Sequence, residues 1–162
     1  MLVNGETLKI DYPYYNNYRR RVHIIITMPE LLAAAFDGGA YGSISGFQQP
    51  VSFAVSLSGN ANFNITTNPV LMNVDVSGNS RLTATGTAAS IIANISGQAR
   101  FNGYELKETD TAAVKASGQS SVYINAGKVF TTDASGQSKI YYKGPPIKKN
   151  ITQTGMAKVI NE

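Results

Sequence analysis

Cysteine is absent from this chain of 162 residues, which excludes a disulfide framework, a thiol nucleophile and a Cys-ligated zinc site. Charge is scarce: Asp, Glu, Lys and Arg make up 15% of the residues, against about 25% in ordinary soluble domains. Solubility therefore rests on neutral polar groups. The formal charge of +4 is spread along the chain, with one basic run at Arg19, Arg20 and Arg21, too little to point to nucleic acid. Long apolar runs are missing as well. Residues 31–36 fall far short of the ~18 that a membrane helix needs, and residues 1–5 lack the basic start and apolar stretch of a secretory signal. The single histidine, His23, lies in the strand pattern Val22-His23-Ile24-Ile25-Ile26 with no Ser, Cys or metal-ligand spacing around it. It reads as a strand-edge or surface residue.

What is present is a repeat. Glycines that mark recurring phrases stand at Gly38, Gly59, Gly78, Gly97, Gly118, Gly136 and Gly155, at spacings of 21, 19, 19, 21, 18 and 19. A period this narrow signals a solenoid, in which units too small to bury an apolar face alone share one core by stacking.

Alignment on the marker glycine turns the period into geometry. Two places after it every residue is small: Ala40, Ala61, Ser80, Ala99, Ser120, Ser138 and Ala157. Four places after it come Phe63, Leu82, Phe101, Val122, Ile140 and Val159, with Gly42 the exception. Apolar residues also precede it by two and four places, as with Val74 and Val76. The period inside each repeat is two, so these segments are strands. The expected fold is all-β: a single-stranded parallel β-helix, or β-solenoid, expected to be right-handed, of about seven rungs of 18–21 residues. At the ~4.8 Å strand spacing such a rod stands roughly 30 Å tall. Residues 1–162 are expected to form a single domain, with N-terminal strands and an opening segment in 1–30 and the rungs in 31–162.

The marker glycines are expected where the chain needs positive φ or close approach between rungs. The residues after them, Asn60, Asn79, Gln98, Gln119 and Gln137, occupy one column in five consecutive rungs. In-register amides of this kind predict a hydrogen-bonded side-chain ladder.

The Ser-Gly-Asn/Gln phrases, the segment Met28-Pro29-Glu30-Leu31 and the stretch Tyr141-Tyr142-Lys143-Gly144-Pro145-Pro146 occur here in a known order. From about Leu8 to Val159 the chain resembles the auto-transporter adhesin family with the head GIN domain. The resemblance implies a parallel β-helix in envelope proteins of Gram-negative bacteria, named adhesins largely by analogy and without known catalytic residues. It also implies a location in the periplasm, outer membrane or cell surface. Family members usually begin with a signal sequence and further strands ahead of the segment resembling residues 5–10, so an N-terminally shortened domain is expected.

Candidate chemistry is sparse. Asp75 and Asp133 share an outward column three rungs apart, about 14 Å, whereas paired glycosidase carboxylates lie within about 5 to 9.5 Å. Glu105, Glu108 and Asp110 flank Lys107 in a turn, either as a solvated cluster or as the acidic centre of a carbohydrate-active β-helix enzyme, a lyase or hydrolase. Gly38-Gly39-Ala40-Tyr41-Gly42 lacks the Gly-Lys-Ser/Thr ending of a phosphate loop and reads as a solenoid corner. No catalytic, cofactor-binding or metal-ligating residue is assigned, and no cofactor is expected.

Two surfaces are candidates for ligand binding. Arg81, Arg100, Lys139 and Lys158 fall three places after the glycine and should project as a ridge. It would either keep the rod soluble or dock anionic glycan or lipid headgroups, with Tyr123 and Tyr141 in a neighbouring outward column stacking on sugar or on each other. The second surface is the stretch 12–21, where Tyr14, Tyr15, Tyr18 and Arg20 supply the amphipathic chemistry of recognition surfaces. The expected partner is a cell-surface glycan or protein. Open solenoid ends present unpaired backbone groups, so weak self-association through them is also expected.

Overall fold

The computed structural model describes residues 2–10, 22–47, 51–107 and 109–162. Two short strands, β1 (Leu2–Asn4) and β2 (Thr7–Lys9), pair antiparallel across a turn that Gly5 closes. The rungs follow, two strands to each. β3 (Ala33–Phe36) and β4 (Tyr41–Ile44) form the first, β5 (Ser52–Leu57) and β6 (Asn62–Thr67) the second, and β7 (Leu71–Val76) and β8 (Arg81–Thr87) the third. The fourth and fifth are β9 (Ser90–Ile95) with β10 (Arg100–Lys107) and β11 (Thr111–Ala116) with β12 (Ser121–Asn125). The sixth and seventh are β13 (Val129–Ala134) with β14 (Lys139–Lys143) and β15 (Lys148–Gln153) with β16 (Lys158–Asn161).

Odd-numbered strands from β3 to β15 stack into one seven-stranded parallel sheet, and even-numbered strands from β4 to β16 into a second. The chain is thus an all-β parallel solenoid of seven turns. Register follows the marker glycines: Phe63 pairs with Leu82, Leu82 with Phe101, Phe101 with Val122 and Val122 with Ile140.

Inward side chains from both sheets meet in one core. Phe53, Met72, Ile91, Phe101, Phe130 and Ile140 are among those fully buried. Small residues line the glycine corner, where the two sheets converge. Three of them are serines: the Ser80 hydroxyl accepts the Ala61 amide at 3.2 Å, the Ser138 hydroxyl donates to the Ala116 carbonyl at 3.2 Å, and the buried Ser120 hydroxyl has no partner.

The marker corner is a backbone stack. All seven marker glycines have φ between 69° and 77°, the left-handed region that L side chains rarely adopt. Each corner is tied to the one before it, as where the Asn79 amide donates to the Gly59 carbonyl and the Gln98 amide to the Gly78 carbonyl, both at 2.8 Å.

Two expectations are corrected. Residues 22–30 hold no strand: the run from Val22 to Ile26 is exposed throughout, and no strand among the described residues pairs its backbone. Strand propensity without a ladder partner does not make a sheet. The amide column is not a continuous side-chain ladder either. Among the described residues the one side-chain bond along it joins Asn79 to Asn60 at 3.4 Å. Gln98, Gln119 and Gln137 are exposed, so water competes for their amides while their backbone N–H groups carry the stacking.

Candidate binding surface

Alternation along β8, β10, β12, β14 and β16 decides which side chains leave the core. Leu82, Phe101, Val122 and Ile140 point in and are fully buried, so the residue before each points out. Arg81 therefore pairs with Arg100, Arg100 with Ser121, Ser121 with Lys139 and Lys139 with Lys158. All four cations are exposed, and no carboxylate among the described residues pairs with any of them. Arg81 and Arg100 stand on adjacent strands, as do Lys139 and Lys158, about 4.8 Å apart along the sheet. Two residues back along the chain, Asn79, Gln98, Gln119 and Gln137 form a flanking amide column.

On the other flank lies an aromatic cluster. The Tyr123 and Tyr141 rings stack with centroids 4.9 Å apart and planes 6° from parallel. Tyr104 meets Tyr123 edge-on at 5.4 Å. Ring faces are thereby spent on one another, and the Lys143 ammonium lies 4.3 Å from the centroid of the Tyr104 ring. The Tyr104 hydroxyl donates to the Glu162 carboxylate at 2.7 Å; burial first, and this bond second, push its phenol above the ordinary value. A sugar entering between Tyr123 and Tyr141 would have to displace the stack they already make.

Tyr104 was not legible in the repeat. Its strand, β10, bulges between Asn102, which pairs with Thr83, and Glu105, which pairs with Thr85. One extra residue turns Tyr104 outward beside Tyr123. The Asn125 amide holds the bulge by donating to the Tyr104 carbonyl at 2.5 Å and the Leu106 carbonyl at 3.1 Å. The only sequence signal was the 21-residue spacing between Gly97 and Gly118.

The remaining candidates are scattered. Asp75 and Asp133 lie on one column, separated by Asn94 and Lys115, and the Asn94 amide donates to Asp75 at 2.9 Å. Asp110 pairs with Lys128 of the next rung at 2.7 Å, and Glu105 is exposed on the bulged strand. Glu108, together with Tyr14, Tyr15, Tyr18 and Arg20, lies outside the described residues. His23 is exposed. Among the described residues no group of three or more His, Asp or Glu side chains is placed to hold a metal ion.

The family described as "Putative auto-transporter adhesin, head GIN domain" matches residues 1–146. The chain belongs to this family. The match covers the β1–β2 hairpin and the first six rungs of the head GIN domain, and the seventh rung continues the same geometry beyond it. The family's name describes an adhesin-like protein of the cell envelope. No curated protein and no solved structure matches the chain. No helix of the described residues is long and apolar enough to cross a membrane.

Proposed function

We propose that this head GIN domain is a non-enzymatic binding module at the surface of a Gram-negative envelope, and that it docks an anionic glycan along the ridge of Arg81, Arg100, Lys139 and Lys158. One observation carries the reading: four exposed cations share one column of the stacked strands, as two adjacent pairs with Ser121 between them, and none is neutralised by a carboxylate of the described residues. Like charges held on adjacent strands repel. A linear polyanion laid along the column relieves that repulsion at several points at once, so weak single contacts add into useful avidity. The flanking amides of Asn79, Gln98, Gln119 and Gln137 offer donors and acceptors to sugar hydroxyls. A cleaving enzyme has less support, because Asp75 and Asp133 are separated by two intervening strands.

A glycan array that includes uronate-bearing, sulfated and neutral polymers tests the proposal. Binding to the anionic polymers, weakening as salt rises and lost in the double variant Arg81→Glu and Arg100→Glu, is expected. Binding confined to neutral glycans, or unaffected by the double variant, would overturn it, and shortening of a bound polymer would restore the enzyme reading.

A further inference from the structure

The two outward faces of the rod carry columns that match. On the first sheet the residues three places before the marker glycines, Asp75, Asn94, Lys115 and Asp133, are exposed and stand in register on β7, β9, β11 and β13. Lys115 and Asp133 lie on adjacent strands, yet among the described residues neither has an ion-pair partner. Beside this column Ala113 and Thr131, between Ile92 and Asn150, leave a shallow hollow of about 170 Å³.

Six places on from each residue of the column, and on the same rung, stands a residue of the second sheet's cationic column. Asp75 shares its rung with Arg81, Asn94 with Arg100, Lys115 with Ser121 and Asp133 with Lys139. Both acids thus lie level with a cation. The one cation of the acidic column lies level with the one interruption of the ridge.

We propose that these faces dock a second copy of this chain side by side, axes parallel and rungs level, with the first sheet of one copy against the second sheet of the other. Charge selects the register. With rungs level Asp75 meets Arg81, Asp133 meets Lys139, and Lys115 meets the Ser121 hydroxyl. Arg100 meets Asn94, whose amide nitrogen is spent on Asp75 and whose carbonyl oxygen is left to accept. A slip of one rung sets Lys115 against Lys139 in one direction and against Arg100 in the other, and like charges brought together in a contact are costly.

Shape selects the polarity. Both copies wind the same way, so with parallel axes the facing strands run in opposite directions. The column five places before the glycine then faces the column five places after it. Ala113 comes opposite Tyr123 and Thr131 opposite Tyr141, which sets the stacked ring pair over the hollow. With opposed axes the facing strands run the same way, and the rings meet the column of Ser117 and Ser135 instead. The proposal does not rest on the anionic-glycan reading, in which a polymer takes the same ridge.

Sedimentation velocity on the whole chain, from micromolar to millimolar concentration, tests it. Mass should rise past the dimer, because a contact between unlike faces leaves one face of each kind free on the outer copies. The double variant Asp75→Lys with Asp133→Lys, and the double variant Arg81→Asp with Lys139→Asp, should each stay monomeric with an unchanged circular-dichroism spectrum. An equimolar mixture of the two should regain the parent's mass distribution, because opposite charges again face each other in both orders. Ala113→Tyr fills the hollow without altering charge and should also stay monomeric. A parent chain that is monomeric throughout or stops at the dimer, a mixture that stays monomeric, or an Ala113→Tyr variant that associates like the parent would overturn the proposal. Since Asp75→Lys with Asp133→Lys leaves the ridge intact, loss of self-association in it is read separately from loss of glycan binding.

Discussion

A Cβ on Gly78 would come within 2.5 Å of the Gly59 carbonyl oxygen. Two rungs therefore meet backbone to backbone at the corner, and the glycine is required there twice, by φ and by space. Gly78→Ala should lower stability by the ~1–2 kcal/mol of a left-handed L-residue and by a further amount for pushing the rungs apart. Gly38→Ala, with the same φ and open space, should carry only the first part in the monomer. Chemical denaturation at low protein concentration measures both, and equal losses would remove the rung contact from the explanation.

Leu82 and Arg81 are chain neighbours on opposite faces of β8, one fully buried and one exposed. Leu82→Asp puts an unpaired charge in a narrow core and should abolish cooperative folding. Arg81→Asp should shift stability by no more than about 0.5 kcal/mol. Thermal melts that move alike would refute the inside-outside register.

Thr132 is buried in a column otherwise filled by apolar side chains, and its hydroxyl has no hydrogen-bond partner. Val has nearly the same shape without the polar atom. Thr132→Val should therefore stabilise by about 1 kcal/mol, or about 2–4 °C in Tm for a chain of this size. A loss of stability would mean that the hydroxyl is satisfied in solution.

Gln119 has an exposed side chain, while its backbone amide donates to the Gly97 carbonyl at 2.8 Å. Gln119→Leu keeps that amide and should be neutral to within about 0.5 kcal/mol. A cost of about 1 kcal/mol, the scale of a net hydrogen bond, would reinstate the side-chain ladder.

The Asp37 carboxyl is held below its ordinary value of 3.8, first by the Ser58 hydroxyl and then by the Gly38 amide. Because the folded value is the lower one, the unfolded chain takes up the proton more readily. The bond contributes above the ordinary value and is lost as pH falls through the folded value. Hydrogen exchange at the Gly38 and Ser58 amides, taken relative to its intrinsic rate at each pH, should therefore quicken on acidification in the parent chain. In Asp37→Ala it should be faster from the outset and lack that acid-dependent step, and an identical acid response in both would show that the carboxylate does not tie the first two corners together.

The sequence by itself determined the solenoid. A spacing of 18–21 between the marker glycines and a period of two within each repeat fix the strands, their parallel register and the inward faces, because each residue in a stacked coil has the same neighbours as its counterpart one rung away. The cationic column was legible for the same reason: Arg81, Arg100, Lys139 and Lys158 share one offset from the glycine. Only tertiary structure decided what breaks that translation. The bulge in β10 moves Tyr104 out of register, and the aromatic cluster with Lys143 and Glu162 assembles from side chains at unequal offsets. At the ends a residue has a neighbour on one side only, so Phe36 folds over Phe63 where a repeat rule expects the next rung, and the strand-like run from Val22 to Ile26 stays unpaired. Ladder hydrogen bonds need a partner strand in space, and no pattern within a single rung specifies where the stack stops.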